Sequence, residues 1–235
     1  MFSLDQTFTS WENHWDKILA ARLKCKPRKC NVLPKKLVYL GHVLTAEGIT
    51  ADHSKIDKIR EWPMPIERVQ MQSFLGLCNY YHKYIKSYAE AAAPLYASTK
   101  ELKIASTPEL IAAFERLKGM MCAIPLVRLP NPDKQFILTT DASTIAVGAE
   151  LSQREENGVE YPVLWFSKAL NSAQRNYSTY EREFLAIILS TDTWHVYLLG
   201  YEFIIRTDHR ALMGIFNSKL TNSSRITKWL LRMQP

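Results

Sequence analysis

The chain is 235 residues long, 47% hydrophobic and 23% charged, the balance of a soluble globular protein of one or two domains. No apolar run approaches the ~20 residues of a membrane-spanning helix, and the start, MFSLDQTFTSW, has neither the basic nor the apolar region of a signal peptide, which implies an intracellular chain, cytoplasmic or nuclear. The net charge of +7 lies wholly in residues 1–130, with 19 Lys+Arg against 12 Asp+Glu, while residues 131–235 hold 11 of each; this suits either a polyanionic partner or a merely solvated basic face.

In chain order, Phe8 to Leu23 reads as a helix, with Trp11, Trp15, Ile18 and Leu19 at helical spacing. Eight basic residues and no acid follow between Lys17 and Lys36, in a run broken by Pro27 and Pro34. Cys25 and Cys30 lie in that run without a second pair at zinc-finger spacing, and with Cys78 and Cys122 they read as reduced thiols. Two short strands, Leu37–Leu40 and His42–Thr45, meet near Gly41, with a further turn at Glu47–Gly48. Residues 53–61 form a short helix that stops before the stiff WPMP connector.

A longer helix is expected from Glu67 to Tyr88, with Phe74, Leu77, Tyr81, Tyr84 and Ile85 on one face. Tyr80, Tyr81, Tyr84 and Tyr88 interleave with Lys83 and Lys86, a mixture that can stack on and neutralise nucleic acid or can form core. After a helix at Pro108–Cys122, three prolines in AIPLVRLPNP mark a second boundary. Beyond it KQFILTTDAS, AVGAELSQ and GVEYPVLWFSKAL read as strands. STYEREFLAIILSTDTWHVYLL reads as a long helix, YEFIIRTD as a fourth strand, and HRALMGIF and SSRITKWLLRM as helices. That order describes an α/β domain with a mixed sheet.

Three acids sit awkwardly. Asp141 ends what reads as a buried strand, where an unpaired charge is costly; Asp208 ends the fourth strand; and Glu181 or Glu183 lies in the long helix. Periodicity does not choose between the two glutamates, which flank the face of Tyr180, Phe184, Ile187 and Thr191. Each acid also has a bland reading: Asp208 as a helix N-cap, Asp141 opening a turn before Ser143, a helical Glu in solvent. If the strands of Asp141 and Asp208 are neighbours, their carboxyl ends lie together, and clustered carboxylates call for divalent cations. Mg²⁺ prefers such oxygen ligands, and two ions about 4 Å apart can activate water for phosphodiester cleavage.

The stretches YLGHVLTAEGI, SFLGLCNYYHKYI, FILTTDASTIAVGAELSQ, NYSTYEREFLAI and FIIRTDHRAL resemble, in order and approximate spacing, motifs of gypsy-like long-terminal-repeat retrotransposon pol polyproteins. The resemblance runs nearly end to end and implies an α/β (α+β) chain in three parts. Residues 1–50 would be the end of a reverse transcriptase palm with a primer-grip-like hairpin, 51–128 a helical thumb and connection, and 129–235 a ribonuclease-H-like domain. It implies Asp141, Glu183 and Asp208 as catalytic and metal-binding acids, Glu183 matching better than Glu181. It further implies two Mg²⁺ ions, with Mn²⁺ as a substitute, and hydrolysis of RNA in an RNA:DNA hybrid. Nucleic acid contacts would fall to Lys24, Lys26, Arg28, Lys29, Gly41, His42, Lys83 and Lys86.

The departures from the family pattern imply a fragment. The polymerase aspartate pair and the finger region are missing, and the ribonuclease domain's last strand, last helix and fourth acid are absent. The remaining segments of the polyprotein are then candidate partners. The competing expectation is a catalytically inactive remnant that binds nucleic acid through its basic half. A third, an integrase-like nuclease cutting DNA, fits the motifs poorly.

Overall fold

The computed structural model describes residues 4–26, 28, 34–213 and 224–233. The chain divides into two compact units, residues 1–37 and 38–235. In the first, helix α1 (Leu4–Ala20) ends as Arg22 turns left-handed at φ 54°, three residues short of the expected Leu23. Trp15 and Leu19 are 40% and 68% exposed, so this helix buries little of its apolar side.

Strands β1 (Lys36–Tyr39), β2 (His42–Thr45) and β3 (Ile49–Ala51) form a three-stranded sheet in that order, β2 and β3 antiparallel. Leu40 and Gly41 both have positive φ, 46° and 72°, as a tight turn that matches strand twist requires. At the next turn Gly48 has φ 152°, and a Cβ there would lie 2.2 Å from the Val127 carbonyl oxygen. That close approach lets Ile49 and Val127 exchange two backbone hydrogen bonds of 2.7 and 2.8 Å.

Helices α2 (His53–Arg60), α3 (Arg68–Tyr80), α4 (Tyr88–Ser98) and α5 (Pro108–Cys122) surround one core built on Met71, Phe74, Leu95, Phe114, Leu117 and Met121. Asp52 caps α2, and Thr107 followed by Pro108 starts α5. The single helix expected from Glu67 to Tyr88 is broken: α3 stops at Tyr80, a 3₁₀ turn covers His82–Tyr84, and Ser87 is left-handed at φ 55°. The apolar spacing continues through the break because a three-residue turn also places Tyr81 and Tyr84 inward, so periodicity alone does not reveal it. Tyr81, Tyr84 and Tyr88 are core, at 1–4% exposure, and only Tyr80 is open. Helix α4, which the sequence reading passed over, is Ala-rich; its buried Ala91 and Ala92 favour close packing.

The second sheet has the order β6-β5-β4-β7, from β4 (Phe136–Ala142), β5 (Ala146–Arg154), β6 (Glu160–Ala169) and β7 (Phe203–Arg206). The β4–β5 and β5–β6 pairs are antiparallel and β4–β7 is parallel, the mixed sheet expected. After the short α6 (Ser172–Arg175), helix α7 (Thr179–Thr193) packs on β4 and β5. The long helix expected to reach Leu199 is interrupted at buried Trp194, with α8 (His195–Leu198) beyond it. Of the helix expected at 209–216, residues 210–212 form a 3₁₀ turn and 214–216 lie outside the described residues; α9 (Ser224–Arg232) follows. No described helix is long and apolar enough to cross a membrane.

Candidate active site

Strands β4 and β7 run parallel and in register, with Phe136 opposite Phe203 and Thr139 opposite Arg206. Asp141 lies two residues beyond Thr139, and Asp208 two residues beyond Arg206, each just past the last paired position. The two strands are therefore neighbours whose carboxyl ends lie together, the condition on which the acid cluster depended. Asp141 itself corrects one expectation: it is exposed, because the buried part of β4 ends at Thr140. The turn after it is built by Ser143, whose Oγ accepts from the Ile145 and Ala146 N–H groups. Asp208 is exposed as well, and the N-cap reading fails for it: the 3₁₀ turn that follows begins from His209, without a side-chain cap.

The buried acid is Glu183, 4% exposed on α7. Burial, then the negative charges of Asp208 and Asp141, push its carboxyl up to about 7; the Ala142 backbone N–H pulls the other way. Its Oε2 has no partner among the described residues. Glu181, by contrast, is fully occupied. Its carboxylate accepts from Ser178 N–H and Oγ–H at 3.0 Å each, while Ser178 Oγ accepts from Glu181 N–H, a reciprocal cap on α7. Arg225 adds an ion pair to Glu181 at 2.6 Å. The spacing Ser178-x-x-Glu181 is the signal that could have separated the two glutamates in sequence.

Residues the sequence reading left aside gather here too. Thr140 Oγ1, Arg182 Nε and His209 Nδ1 are buried without a partner among the described residues, and each belongs to a neighbour in sequence of one of the three acids. Such orphaned polar atoms are uncommon and call for an explanation; His42 Nδ1 and Tyr88 Oη are in the same state away from these acids. Beside Asp141 a small cavity of about 100 Å³ is lined by Lys86, Thr139, Gly148, Glu150 and Trp165, which brings Lys86 to the same site. The donors fit a hard divalent cation in kind: mutually repelling carboxylates and an unsatisfied buried oxygen. As they stand, no three His, Cys, Asp or Glu side chains among the described residues are close enough to hold one together.

The other expected nucleic acid contacts are dispersed. His42 stacks on Tyr80 at 5.3 Å and meets Tyr81 and Tyr84 edge-on, and burial followed by Lys83 lowers its pKa. Gly41 accepts from Tyr81 O–H at 2.8 Å, and Tyr80 O–H donates to Leu40. This hairpin side is thus bound up in an aromatic cluster. Lys83 lies 5.1 Å over the Tyr84 ring. Lys24, Lys26 and Arg28 are exposed in the first unit, and Lys29 lies outside the described residues.

Residues 131–235 match the family described as RNase H-like domain found in reverse transcriptase. The chain is 38% identical over 233 residues to the retrovirus-related Pol polyprotein from transposon 297 of Drosophila melanogaster, a match covering 98% of this chain and 21% of that protein. It is 34% identical over 222 residues to the transposon Tf2-3 polyprotein of Schizosaccharomyces pombe, covering 93% and 17% respectively. The chain therefore spans about a fifth of the length of the curated relatives it matches. Its fold is similar to that of a foamy viral protease-reverse transcriptase in complex with RNA/DNA hybrid, with TM-score 0.80 at 16% identity, covering 100% of this chain and 32% of that one. Over 98% of its length the chain is thus similar to a stretch of a retrotransposon Pol polyprotein, and its residues 131–235 match the RNase H-like domain found in reverse transcriptase.

Proposed function

We propose that the sheet domain hydrolyses the RNA strand of RNA:DNA hybrids, with Asp141, Glu183 and Asp208 as its catalytic and metal-binding acids. The observation that carries this reading is the pairing of β4 with β7, which brings two carboxylates to one sheet edge beside a buried third with a raised pKa. Two Mg²⁺ ions, or Mn²⁺ in their place, would supply the charge that activates water and stabilises the leaving oxygen. The chain's own residues do the rest. Glu183, its carboxyl pushed up to about 7, is partly protonated near neutral pH, and burial keeps bulk water from it. Asp141 and Asp208, open to solvent, are reachable by a duplex backbone.

On the same reading, residues 1–50 are the end of a palm whose hairpin carries Gly41 and His42. Residues 51–128 are thumb and connection with Lys83 and Lys86, and 129–235 the nuclease domain. Lys24, Lys26, Arg28 and Lys29 would neutralise backbone phosphates. Further polyprotein segments are partners, and the work is done inside the cell. A second reading, nucleic acid binding without catalysis, draws on the fact that the described acids do not yet converge to ion-holding distance.

Cleavage of a labelled RNA strand in a hybrid, with Mg²⁺ or with EDTA, separates the two. Catalysis requires a rate that Asp141→Asn lowers by at least about a hundredfold, the scale of losing one electrostatic partner of a transition state. Salt-sensitive hybrid binding without cleavage, unaffected by Asp141→Asn, establishes the second reading.

A further inference from the structure

His209 follows Asp208, and nothing in the cleavage reading uses it. Its ring meets that of Tyr180 edge to face, centroids 5.7 Å apart at 62°. Tyr180 stands in the first turn of α7, three residues before Glu183, so the two lie along one side of the helix. The contact thus joins the two elements that carry Glu183 and Asp208.

The backbone is tied around the same ring. His209 N–H donates to Thr207 Oγ1 at 3.2 Å, and its carbonyl accepts from Leu212 N–H at 2.9 Å. Leu212 is buried in one cluster with Phe184 and Ile187. His209 Nδ1 remains buried without a partner among the described residues. A phenyl or leucyl group would fill that space without burying an unpaired nitrogen, so simple packing does not account for an imidazole here.

We propose that Tyr180 and His209 are positioning residues, a clasp that ties the segment carrying Asp208 to the helix carrying Glu183 and so limits how far their carboxylates must move to meet a divalent cation. The inference rests on the metal-site reading above. Restrained carboxylates need less reorganisation on binding, and residues that orient ligands from behind change metal affinity by about 10- to 100-fold.

The test uses the whole chain, free of nucleic acid, with two readouts: Mg²⁺ binding by calorimetry, and amide hydrogen exchange at residues 207–209 without metal. His209→Ala and Tyr180→Ala should each weaken Mg²⁺ binding by about tenfold and speed exchange at Asp208. The double variant should be no weaker than the poorer single one, as for two halves of one contact. Tyr180→Phe keeps the ring and should bind Mg²⁺ as the parent does. Leu212→Ala, which removes buried core, should lower the melting temperature without that loss of affinity.

Mg²⁺ binding indifferent to His209→Ala, additive effects of the two alanines, or an equal loss in Leu212→Ala would each overturn the clasp. A folded parent chain that binds no Mg²⁺ overturns the metal-site reading instead. In that case unchanged exchange at Asp208 in His209→Ala would show separately that the contact holds nothing.

Discussion

Glu181 and Glu183 stand two positions apart on one helix and meet opposite fates, one capping α7 and paired with Arg225, the other buried with an unsatisfied oxygen. Glu183 titrates at about 7 in the fold against 4.5 for an unconstrained carboxyl. Between those values the folded chain binds more proton than the unfolded chain. Its contribution to stability is therefore present below pH 4.5, is lost as pH rises towards about 7, and is flat above. The total is on the order of 3 kcal/mol at most. Without divalent ions at pH 8, Glu183→Gln should be more stable than the parent by ~1–3 kcal/mol in urea denaturation, while cleavage is lost. A variant less stable than its parent at that pH would mean that Glu183 is not strained by burial and repulsion.

At the scale of elements, α7 owes its position to its cap and the hairpin owes its seat to a glycine. Ser178→Ala removes the reciprocal cap and should cost about 1 kcal/mol, with the RNA cleavage rate falling only as far as α7 frays. Gly48→Ala is the harsher change. A methyl group 2.2 Å from the Val127 carbonyl must push apart the backbone pairing of Ile49 and Val127. Thermal unfolding should show a loss of roughly 2 kcal/mol or more. An unchanged melting temperature would show that this close approach is absent in solution.

For the whole molecule, the charge asymmetry is the property with a direct readout. Hybrid binding should weaken steeply as salt rises, and neutralising Lys24, Lys26 and Arg28 together should flatten the plot of log Kd against log salt by up to roughly 3 units, one per phosphate contact. A slope unchanged by the triple variant would assign that basic run to solvent rather than to nucleic acid.

The amino-acid sequence by itself determined the mixed α/β character, the four strands of the second sheet, the family resemblance and the positions of the candidate acids, but not β3 of the first sheet. Those properties are written in local alternation, turn residues and motif spacing, which need no partner to be read. The break after Tyr80, the interruption at Trp194 and the exposure of Asp141 were decided by tertiary structure. A 3₁₀ turn preserves the inward spacing of Tyr81 and Tyr84, and strand burial depends on what the sheet end meets. The choice between Glu181 and Glu183 was half legible: the cap signature at Ser178 lay in the sequence. Only packing against β4, near Asp141 and Asp208, raises the pKa of the buried glutamate, because desolvation and repulsion arise from groups distant along the chain and adjacent in space.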